Sequence, residues 1–315
     1  MIRVVLDKGA LALLPQTKPV PGPDDALIRV RLAGICNTDL ELFKGYMNFS
    51  GTPGHEFVGV VEAAATRPKL VGHRVTADIN VGVGAFAGPG DHRHDPDRRV
   101  LGILDMDGAF ADYLVVPACN CRIVPENVPD ESAVFAEPLA AALEIGQQVH
   151  IKCSDRVAVL GDGKLGILIA LGLRHSCPGL VLVGKHPDKL SIASAQGVRT
   201  VLAQDVSGHF DLVVEATGRP RGIDMALDLV RPEGTIVLKS TTEAQTCLDM
   251  ARIVVQEITL LGSRCGDLDL ALDHLARGLV DPAGMIEAVY PFERFKEAFE
   301  AASRPGARKI LVRMA

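Results

Sequence analysis

A glycine-rich segment in the middle of the chain has the composition of a phosphate-binding loop. It reads Gly161-Asp162-Gly163-Lys164-Leu165-Gly166, and it lies between the apolar run RVAVL and an apolar stretch with helical periodicity. The first glycine permits a tight turn, the second lets the backbone approach a pyrophosphate, and the third allows the helix to pack closely on the strand. Phosphates would meet free N–H groups and the positive end of the helix dipole. Strand, loop and helix in this order predict a dinucleotide site, whereas the bare pattern would also fit a glycine-rich loop without function.

The end of the next predicted strand bears on which dinucleotide binds. A site selective for NAD normally offers Asp or Glu about 20 residues after the glycines, to hold the ribose 2′-hydroxyl. Gly184 occupies that position here, and Lys185 follows it. Without a strand-end carboxylate there is less repulsion against a 2′-phosphate, and Lys185 could attract one. NADP is therefore expected ahead of NAD; the alternative is that Lys185 is a solvated lysine and that either cofactor binds.

The elements around this loop alternate between strands and helices. Predicted strands cover residues 156–160, 180–184, 212–215, 235–238 and 258–262. Predicted helices between them cover residues 164–176, 188–196 and 223–230, and a longer helix over 131–150 precedes them. This alternation predicts a doubly wound parallel sheet with helices on both faces, the Rossmann arrangement.

The first 130 residues follow a different pattern, with short predicted strands bounded by Gly, Pro, Asp or Asn. These strands cover residues 26–32, 57–63, 74–79 and 111–116. Their length and spacing are typical of a barrel-like β-module. Residues 82–98 are rich in Gly, Pro and charge and predict a surface loop. We therefore expect an α/β protein with two domains, one of residues 1–140 with 290–315 and one of residues 141–289.

Three short motifs outside the glycine loop contain residue types that bind metals. They are GICNTD at residues 34–39, PGHEFVG at 53–59 and AEPLA at 136–140. Together with the later EATG at 215–218, they resemble motifs of the zinc-dependent medium-chain alcohol dehydrogenases, in particular the polyol and threonine dehydrogenase branch. The resemblance spans the whole chain. It implies a GroES-like β-barrel catalytic domain together with a Rossmann coenzyme domain.

The resemblance also implies one catalytic zinc ion and a set of residues to hold it. Cys36 would supply a thiolate and His55 an imidazole. Glu137 is the expected carboxylate ligand, with Glu56 as its competitor or exchange partner. Three protein ligands leave one position of a catalytic zinc open for water or a substrate oxygen.

Three further residues complete the expected site. Asp39 would orient the imidazole, Thr38 would take the proton of the alcohol, and the strand end at Thr217 would lie beside the nicotinamide that receives the hydride. Taken singly, such residues have ordinary explanations, for example a buried cysteine, a satisfied loop histidine or a capping threonine. Their combination in the family's order favours the functional interpretation.

The structural zinc that many relatives carry is expected to be missing. Relatives have four cysteines in a lobe that corresponds to residues 82–98, and here the equivalent positions are Val83, Phe86, Pro89 and Asp95. This set cannot replace four thiolates around a tetrahedral zinc. His92 and His94, with Asp91 and Asp95, could form an adventitious metal patch, and the alternative is a solvated loop. We expect a single zinc per chain.

Composition argues against several other functions. A net charge of −6 gives no support for nucleic-acid binding, and the chain has no uncharged apolar run of about 18 residues that would predict a membrane span. Seven cysteines without a CxxC pair suit a reducing cytoplasm. We therefore expect a cytoplasmic protein that acts on a small molecule, as a homodimer with a tetramer as the alternative.

The predicted function is hydride transfer between an alcohol or carbonyl and NAD(P), with a secondary alcohol or polyol favoured. One alternative is a zinc-free reductase of the quinone-reductase kind on the same fold, against which Cys36, His55 and Glu137 argue together. Another is a non-catalytic dinucleotide-binding protein, which would not need Thr38 and Asp39.

Overall fold

The computed structural model describes residues 1–7, 9–83, 92–241 and 246–314. Within these ranges the chain divides into two compact units. Unit 1 comprises Met1–Glu137, Ala271–Ala276 and Pro282–Ala315, and unit 2 comprises Pro138–Leu270 and Arg277–Asp281. The predicted domain limits, 1–140 with 290–315 and 141–289, stay a prediction.

Unit 1 starts with short strands and two short helices. In chain order these are β1 (Ile2–Asp7), β2 (Ala10–Pro15), β3 (Asp25–Gly34), α1 (Asn37–Phe43), β4 (Glu56–Ala64), β5 (Arg74–Ala77), β6 (Asn80–Val81), β7 (Arg99–Val100), β8 (Tyr113–Pro117), β9 (Cys121–Ile123) and α2 (Asp130–Ala133).

Strands and helices then alternate through unit 2, before the chain returns to unit 1. The alternating elements are α3 (Ala136–Gln148), whose first two residues belong to unit 1, β10 (Val157–Leu160), α4 (Lys164–Leu173), β11 (Val181–Gly184), α5 (Pro187–Ser194), β12 (Arg199–Leu202), β13 (Phe210–Glu215), α6 (Gly222–Leu229), β14 (Val230–Leu238), α7 (Met250–Val255) and β15 (Thr259–Gly262). Helix α8 (Leu268–Ala276) follows, and its residues Ala271–Ala276 belong to unit 1. The returning elements are β16 (Ile286–Pro291), α9 (Phe295–Ser303) and β17 (Lys309–Arg313).

Unit 2 is built on a parallel sheet with the strand order β12-β11-β10-β13-β14-β15. Strand β10, with the sequence VAVL, is buried throughout, as expected for a strand covered by helices on both faces. The strand order reverses between β10 and β13. In open sheets of this kind, ligands bind at the carboxyl ends of the strands beside such a reversal.

Unit 1 is built on a seven-stranded sheet with the order β16-β17-β3-β4-β5-β9, in which β8 also pairs with β3. Its register brings distant parts of the chain together. Gly34 at the end of β3 lies opposite Glu56 at the start of β4 and also opposite Leu311 of β17. The segments that follow β3 and precede β4 are therefore held side by side, next to the first residues of β17.

The single helix predicted over residues 131–150 is wrong, because the structure has two helices there, α2 and α3. Pro138 lies in the first turn of α3, where the missing N–H has no partner to lose. Its ring would clash with the carbonyl four residues earlier if one helix continued through this point.

None of the helices in the described ranges has the length and hydrophobicity that crossing a bilayer requires.

Candidate functional site

The first candidate site lies in unit 1, where β3 ends and β4 begins. Cys36 precedes α1, His55 precedes β4 and Glu56 is the first residue of β4. One potential ligand atom from each of these residues lies within 4.8 Å of the other two. Among the residues that the structure describes, this is the only such group of three or more His, Cys, Asp or Glu side chains.

Asp39 connects the two motif segments. Its buried carboxylate accepts the N–H of Cys36 at 2.8 Å and the N–H of Gly54 at 3.1 Å, and its Oδ1 is 3.5 Å from Nδ1 of His55. Gly54 has a φ of +102°, and a Cβ there would lie 2.9 Å from the backbone N of Phe110, so the turn before His55 requires glycine. The carboxylate therefore lies beside the imidazole, where the predicted orienting role needs it.

Thr38 lies next to the sulfur. The thiol of Cys36 donates to Oγ1 of Thr38 over 3.7 Å. The hydroxyl predicted to act as the proton relay therefore lies beside the sulfur of the metal-compatible group.

Lys309 is a member of this cluster that the sequence did not reveal. Its ammonium pairs with Oε2 of Glu56, and both residues are only 1% exposed. Burial acts to lower the pKa of Lys309, but the charges of Glu56 and Cys36 outweigh it and raise the pKa above its ordinary value. The sole sequence signal was a lysine at the start of the strand KILVR, before three apolar residues.

Two buried polar atoms in the cluster are poorly satisfied. Oε1 of Glu56 has no hydrogen-bond partner, and Nδ1 of His55 makes only the long contact with Asp39. A buried polar atom without a partner costs about 1–3 kcal/mol. Nδ1 of His55 faces Asp39, so it is the free oxygen of Glu56 that points to a missing ligand. Sulfur, imidazole nitrogen and carboxylate oxygen are the atoms that bind zinc in proteins, and the residues present therefore fit a zinc ion.

The electrostatics of the cluster also suit a cation. Burial alone would lower the pKa of His55, but Asp39 and Cys36 raise it well above its ordinary value. Burial raises the pKa of Glu137 to about 7, with opposing contributions from His55, which lowers it, and Glu56, which raises it. The negative charges of Asp39 and Cys36, which stabilise a proton on His55, would also stabilise a positively charged metal ion beside them.

The structure thus brings Cys36, His55 and Glu56 together and leaves Glu137, the carboxylate ligand expected from the sequence, outside the close group. Glu137 lies in the first turn of α3 and is near enough to interact electrostatically with both His55 and Glu56. Glu56, which the sequence analysis gave as the competitor of Glu137, is therefore the carboxylate nearer to Cys36 and His55.

The second candidate site is the glycine loop of unit 2, between β10 and α4. Gly161 has a φ of +114°, and a Cβ there would lie 2.5 Å from the carbonyl oxygen of Ala216. A Cβ on Gly166 would lie 1.8 Å from the carbonyl oxygen of Gly161, whereas one on Gly163 would meet nothing within 4 Å. The three glycines therefore make the tight turn, the close packing and the open face that a pyrophosphate site needs. Lys164 and Leu165 form the first turn of α4.

A carboxylate lies at the end of β11, contrary to the assumption behind the NADP prediction. It comes from Asp162 in the glycine loop and accepts the N–H groups of Lys185 at 2.6 Å and His186 at 2.7 Å. Burial acts to raise the pKa of Asp162, but these hydrogen bonds outweigh it and lower the pKa. Gly184 leaves the strand end without an acid of its own, yet Asp162 supplies a negative charge there.

Two side chains hold the strand end at Thr217: Glu215 of the EATG motif, and Ser240, which the sequence did not single out. Glu215 is buried, and its Oε1 accepts both the N–H of Thr217 at 2.8 Å and its hydroxyl at 2.6 Å. The N–H of Gly218 donates to Oγ of Ser240 at 2.8 Å. Thr217 is therefore fixed at the carboxyl end of β13, next to the glycine loop that follows β10.

Two of the four positions that correspond to the structural-zinc cysteines are described. Asp95 is buried and accepts the N–H groups of Val83 at 2.8 Å and Asp97 at 2.9 Å, so hydrogen bonds join the two ends of the lobe. Phe86 and Pro89 lie outside the described residues, as does Asp91 of the alternative histidine patch.

Comparison with known proteins finds dehydrogenases that are similar to this chain over nearly its whole length. A family model for the alcohol dehydrogenase GroES-like domain matches residues 22–126, and a model for zinc-binding dehydrogenases matches residues 180–277. The chain is 26% identical to D-arabitol-phosphate dehydrogenase of Enterococcus avium, over 96% of this chain and 93% of that protein. It is also 26% identical to sorbitol dehydrogenase of Halalkalibacterium halodurans, over 96% of both. The solved alcohol dehydrogenase TADH from Thermus sp. ATN1 is 27% identical and covers 100% of both chains with a TM-score of 0.90.

A GroES-like unit with a zinc-compatible cluster and a Rossmann unit with a glycine loop define a medium-chain dehydrogenase. The chain belongs to the medium-chain alcohol dehydrogenase family, alongside polyol and threonine dehydrogenases. The predicted α/β fold class, with a GroES-like and a Rossmann domain, is confirmed.

Proposed function

We propose that this chain is a zinc-dependent oxidoreductase that transfers a hydride between an alcohol or carbonyl and NAD(P). The observation that carries the proposal is the group of Cys36, His55 and Glu56 with an unpaired, buried carboxylate oxygen. The relatives named for D-arabitol phosphate and sorbitol support a polyol or other secondary alcohol as the substrate.

In this proposal Cys36, His55 and one carboxylate hold a single zinc. Glu56 is the nearer carboxylate, and Glu137 is the alternative with which it exchanges. When bound, zinc lowers the pKa of an alcohol and polarises a carbonyl.

The other residues of the cluster position the zinc ligands, balance their charge or transfer the substrate proton. Asp39 holds the His55 ring in place from behind, and Lys309 balances the charge of Glu56. Thr38 relays the proton that leaves the substrate hydroxyl: its Oγ1, which lies beside the sulfur of Cys36, accepts that proton while its own hydroxyl proton passes to water. In unit 2, the glycine loop with Lys164 and Leu165 binds the pyrophosphate, and the segment at Thr217 contacts the nicotinamide end.

A substrate panel tests this function directly. Purified protein is assayed with secondary alcohols, polyols and aldehydes, each with NAD and with NADP, and its zinc content is measured on the same sample. We expect turnover of a secondary alcohol or polyol and one zinc per chain. Dinucleotide binding without turnover on the whole panel would favour the non-catalytic alternative. Turnover with less than half an equivalent of zinc would favour the zinc-free reductase.

Zinc uptake is expected to release protons and to weaken as the pH falls from about 8 to about 6, because metal ligands must be deprotonated. The pKa of Glu137 is about 7 and that of His55 lies well above its ordinary value, so both groups carry a proton over part of this range. Titration of the metal-free protein with zinc in weakly buffered solution containing a pH indicator measures the protons released.

Glu137→Gln removes one of these protons and is expected to release about half a proton fewer near pH 7, since a group is half protonated at its pKa. Glu126→Gln changes an exposed glutamate outside the cluster and serves as the matched control. Equal proton release from the wild type and Glu137→Gln would contradict the raised pKa of Glu137.

Assembly and location are further parts of the proposal. We propose a homodimer that acts on a small-molecule substrate in the cytoplasm, without nucleic acid or membrane as a partner. The seven cysteines, none of which forms a disulfide, support a reducing compartment. Sedimentation velocity would distinguish a dimer from the alternative tetramer.

A further inference from the structure

The geometry points to Asp162 as the residue that selects the dinucleotide. We infer that its carboxylate binds the ribose 2′-hydroxyl of NAD and disfavours the 2′-phosphate of NADP. The inference rests on the proposed function, because it concerns a dinucleotide bound to the glycine loop of unit 2. It reverses the preference that Gly184 and Lys185 alone suggested.

The side chain of Asp162 occupies the space that an acid on the strand end would use. A Cβ added to Gly184 would lie 2.5 Å from both Cβ and Oδ2 of Asp162. Oδ2 accepts the N–H groups of the two residues that follow Gly184, Lys185 and His186. The carboxylate usually found on the second strand of such sheets is thus delivered from the loop after the first strand, and glycine at 184 makes room for it.

This carboxylate retains the capacity to bind a hydroxyl. A carboxylate has two oxygens and about four acceptor positions. Oδ2 uses two for the N–H groups, while the ring Nδ1 of His186 lies 3.0 Å from Oδ2 and 3.1 Å from Oδ1. The Asp162 side chain remains 11% exposed and both backbone N–H groups go to Oδ2, so Oδ1 has the acceptor capacity that a ligand hydroxyl would use.

A 2′-phosphate would meet an unfavourable environment at this position. The N–H groups of Lys185 and His186, which would otherwise be available to its oxygens, already bind Asp162. The held carboxylate stays ionised and repels a second anion. The side chains of Lys185 and His186 are exposed, and exposed charges on flexible stems contribute little attraction. The fixed negative charge therefore outweighs the mobile positive one.

Direct binding of NADH and NADPH tests the inference without any assay of turnover. The chain has no Trp, so the nicotinamide fluorescence of either dinucleotide can be titrated without protein background. The wild type is expected to bind NADH more tightly than NADPH. Asp162→Asn keeps the size and one acceptor oxygen but loses the charge, and it is expected to shift the Kd ratio at least tenfold toward NADPH. An unchanged ratio would overturn the inference, as would a wild type that prefers NADPH.

Three further variants separate a charge effect from a structural one. Asp224→Asn makes the same charge change at an exposed position on α6 and should leave the ratio unchanged. Lys185→Ala should change the ratio of the two Kd values less than threefold. A larger loss of affinity for NADPH would show that Lys185 selects the dinucleotide and would overturn the inference. The double variant Asp162→Gly with Gly184→Asp moves the acid to the strand end and should restore tight NADH binding. This variant also decides the question if Asp162→Asn folds poorly, because failure to recover NADH preference would count against a role in binding.

The same titrations distinguish this inference from the proposed function. If the wild type binds neither dinucleotide, the proposed function fails. If the wild type binds both dinucleotides and Asp162→Asn leaves the ratio of their Kd values unchanged, the inference alone fails. Adenosine 2′,5′-bisphosphate and 5′-AMP, titrated by calorimetry, restrict the comparison to the adenosine half of the ligand and should show the same order in the wild type and the same reversal in Asp162→Asn.

Discussion

Cys36→Ser is expected to lose the bound zinc and about 1,000-fold or more of the activity, while the affinity for NADH changes by less than about twofold. A thiolate binds zinc, and a serine hydroxyl stays protonated near neutral pH and does not replace it. Loss of the metal removes several kcal/mol of transition-state stabilisation, and each 1.36 kcal/mol is a factor of ten in rate. The glycine loop lies in unit 2 and contains no residue of this cluster, so dinucleotide binding should persist. Zinc content, turnover and NADH titration on one preparation measure all three quantities.

Cys119→Ser is the matched control for this substitution. Cys119 is partly buried like Cys36 and belongs to the same unit, but it lies outside the metal-compatible group. It should keep both zinc and activity. Turnover retained in Cys36→Ser, with zinc still bound, would show that the metal is held elsewhere.

Lys309→Met is expected to destabilise the metal-free protein by about 3–5 kcal/mol, because it leaves the charge of Glu56 buried without its partner. Both side chains are almost fully inaccessible, so water cannot replace the ammonium, and methionine fills a similar volume without charge. The zinc-loaded protein should lose less, since the cation supplies part of the missing positive charge. Urea unfolding followed by circular dichroism, with and without zinc, measures both values.

Two variants accompany this measurement. Lys296→Met removes an exposed lysine from α9 and should change the free energy of unfolding by no more than about 0.5 kcal/mol. Lys309→Met combined with Glu56→Gln removes both charges and should recover part of the loss. A cost below about 1 kcal/mol for Lys309→Met alone would mean that Glu56 is not buried as an ion.

The fold was predictable because its signals are local. The run VAVL followed by GDGKLG and an apolar helix specifies a strand, a turn and a buried helix within about twenty residues, and the same alternation repeats through unit 2. Cys36, Thr38 and Asp39 could likewise be identified from the sequence, because they lie within one turn of α1 and its cap. The error at residues 131–150 came from a periodicity that continues through Pro138, where backbone sterics override the pattern.

The contacts that the sequence missed depend on register and side-chain direction. Lys309 reaches Glu56 only because β17 pairs with β3 and β3 pairs with β4. Asp162 crosses from the end of β10 to the end of β11, and nothing in the spacing of Gly161 and Gly184 shows that its carboxylate turns that way. The sequence therefore predicted the motif residues of each site but not Lys309, and the position of the charges relative to their neighbours required the three-dimensional structure.

The pairing of β17 with β3 also has a consequence for biosynthesis. Glu56 and Lys309 are separated by 253 residues, and at about 5–20 residues per second a ribosome needs roughly 13–50 s to make the intervening chain. Throughout that interval the emerging polypeptide contains Cys36, His55 and Glu56 without the strand that completes their sheet and without the lysine that balances their charge. The charge-balanced centre therefore cannot form until nearly the whole chain of 315 residues has been synthesised.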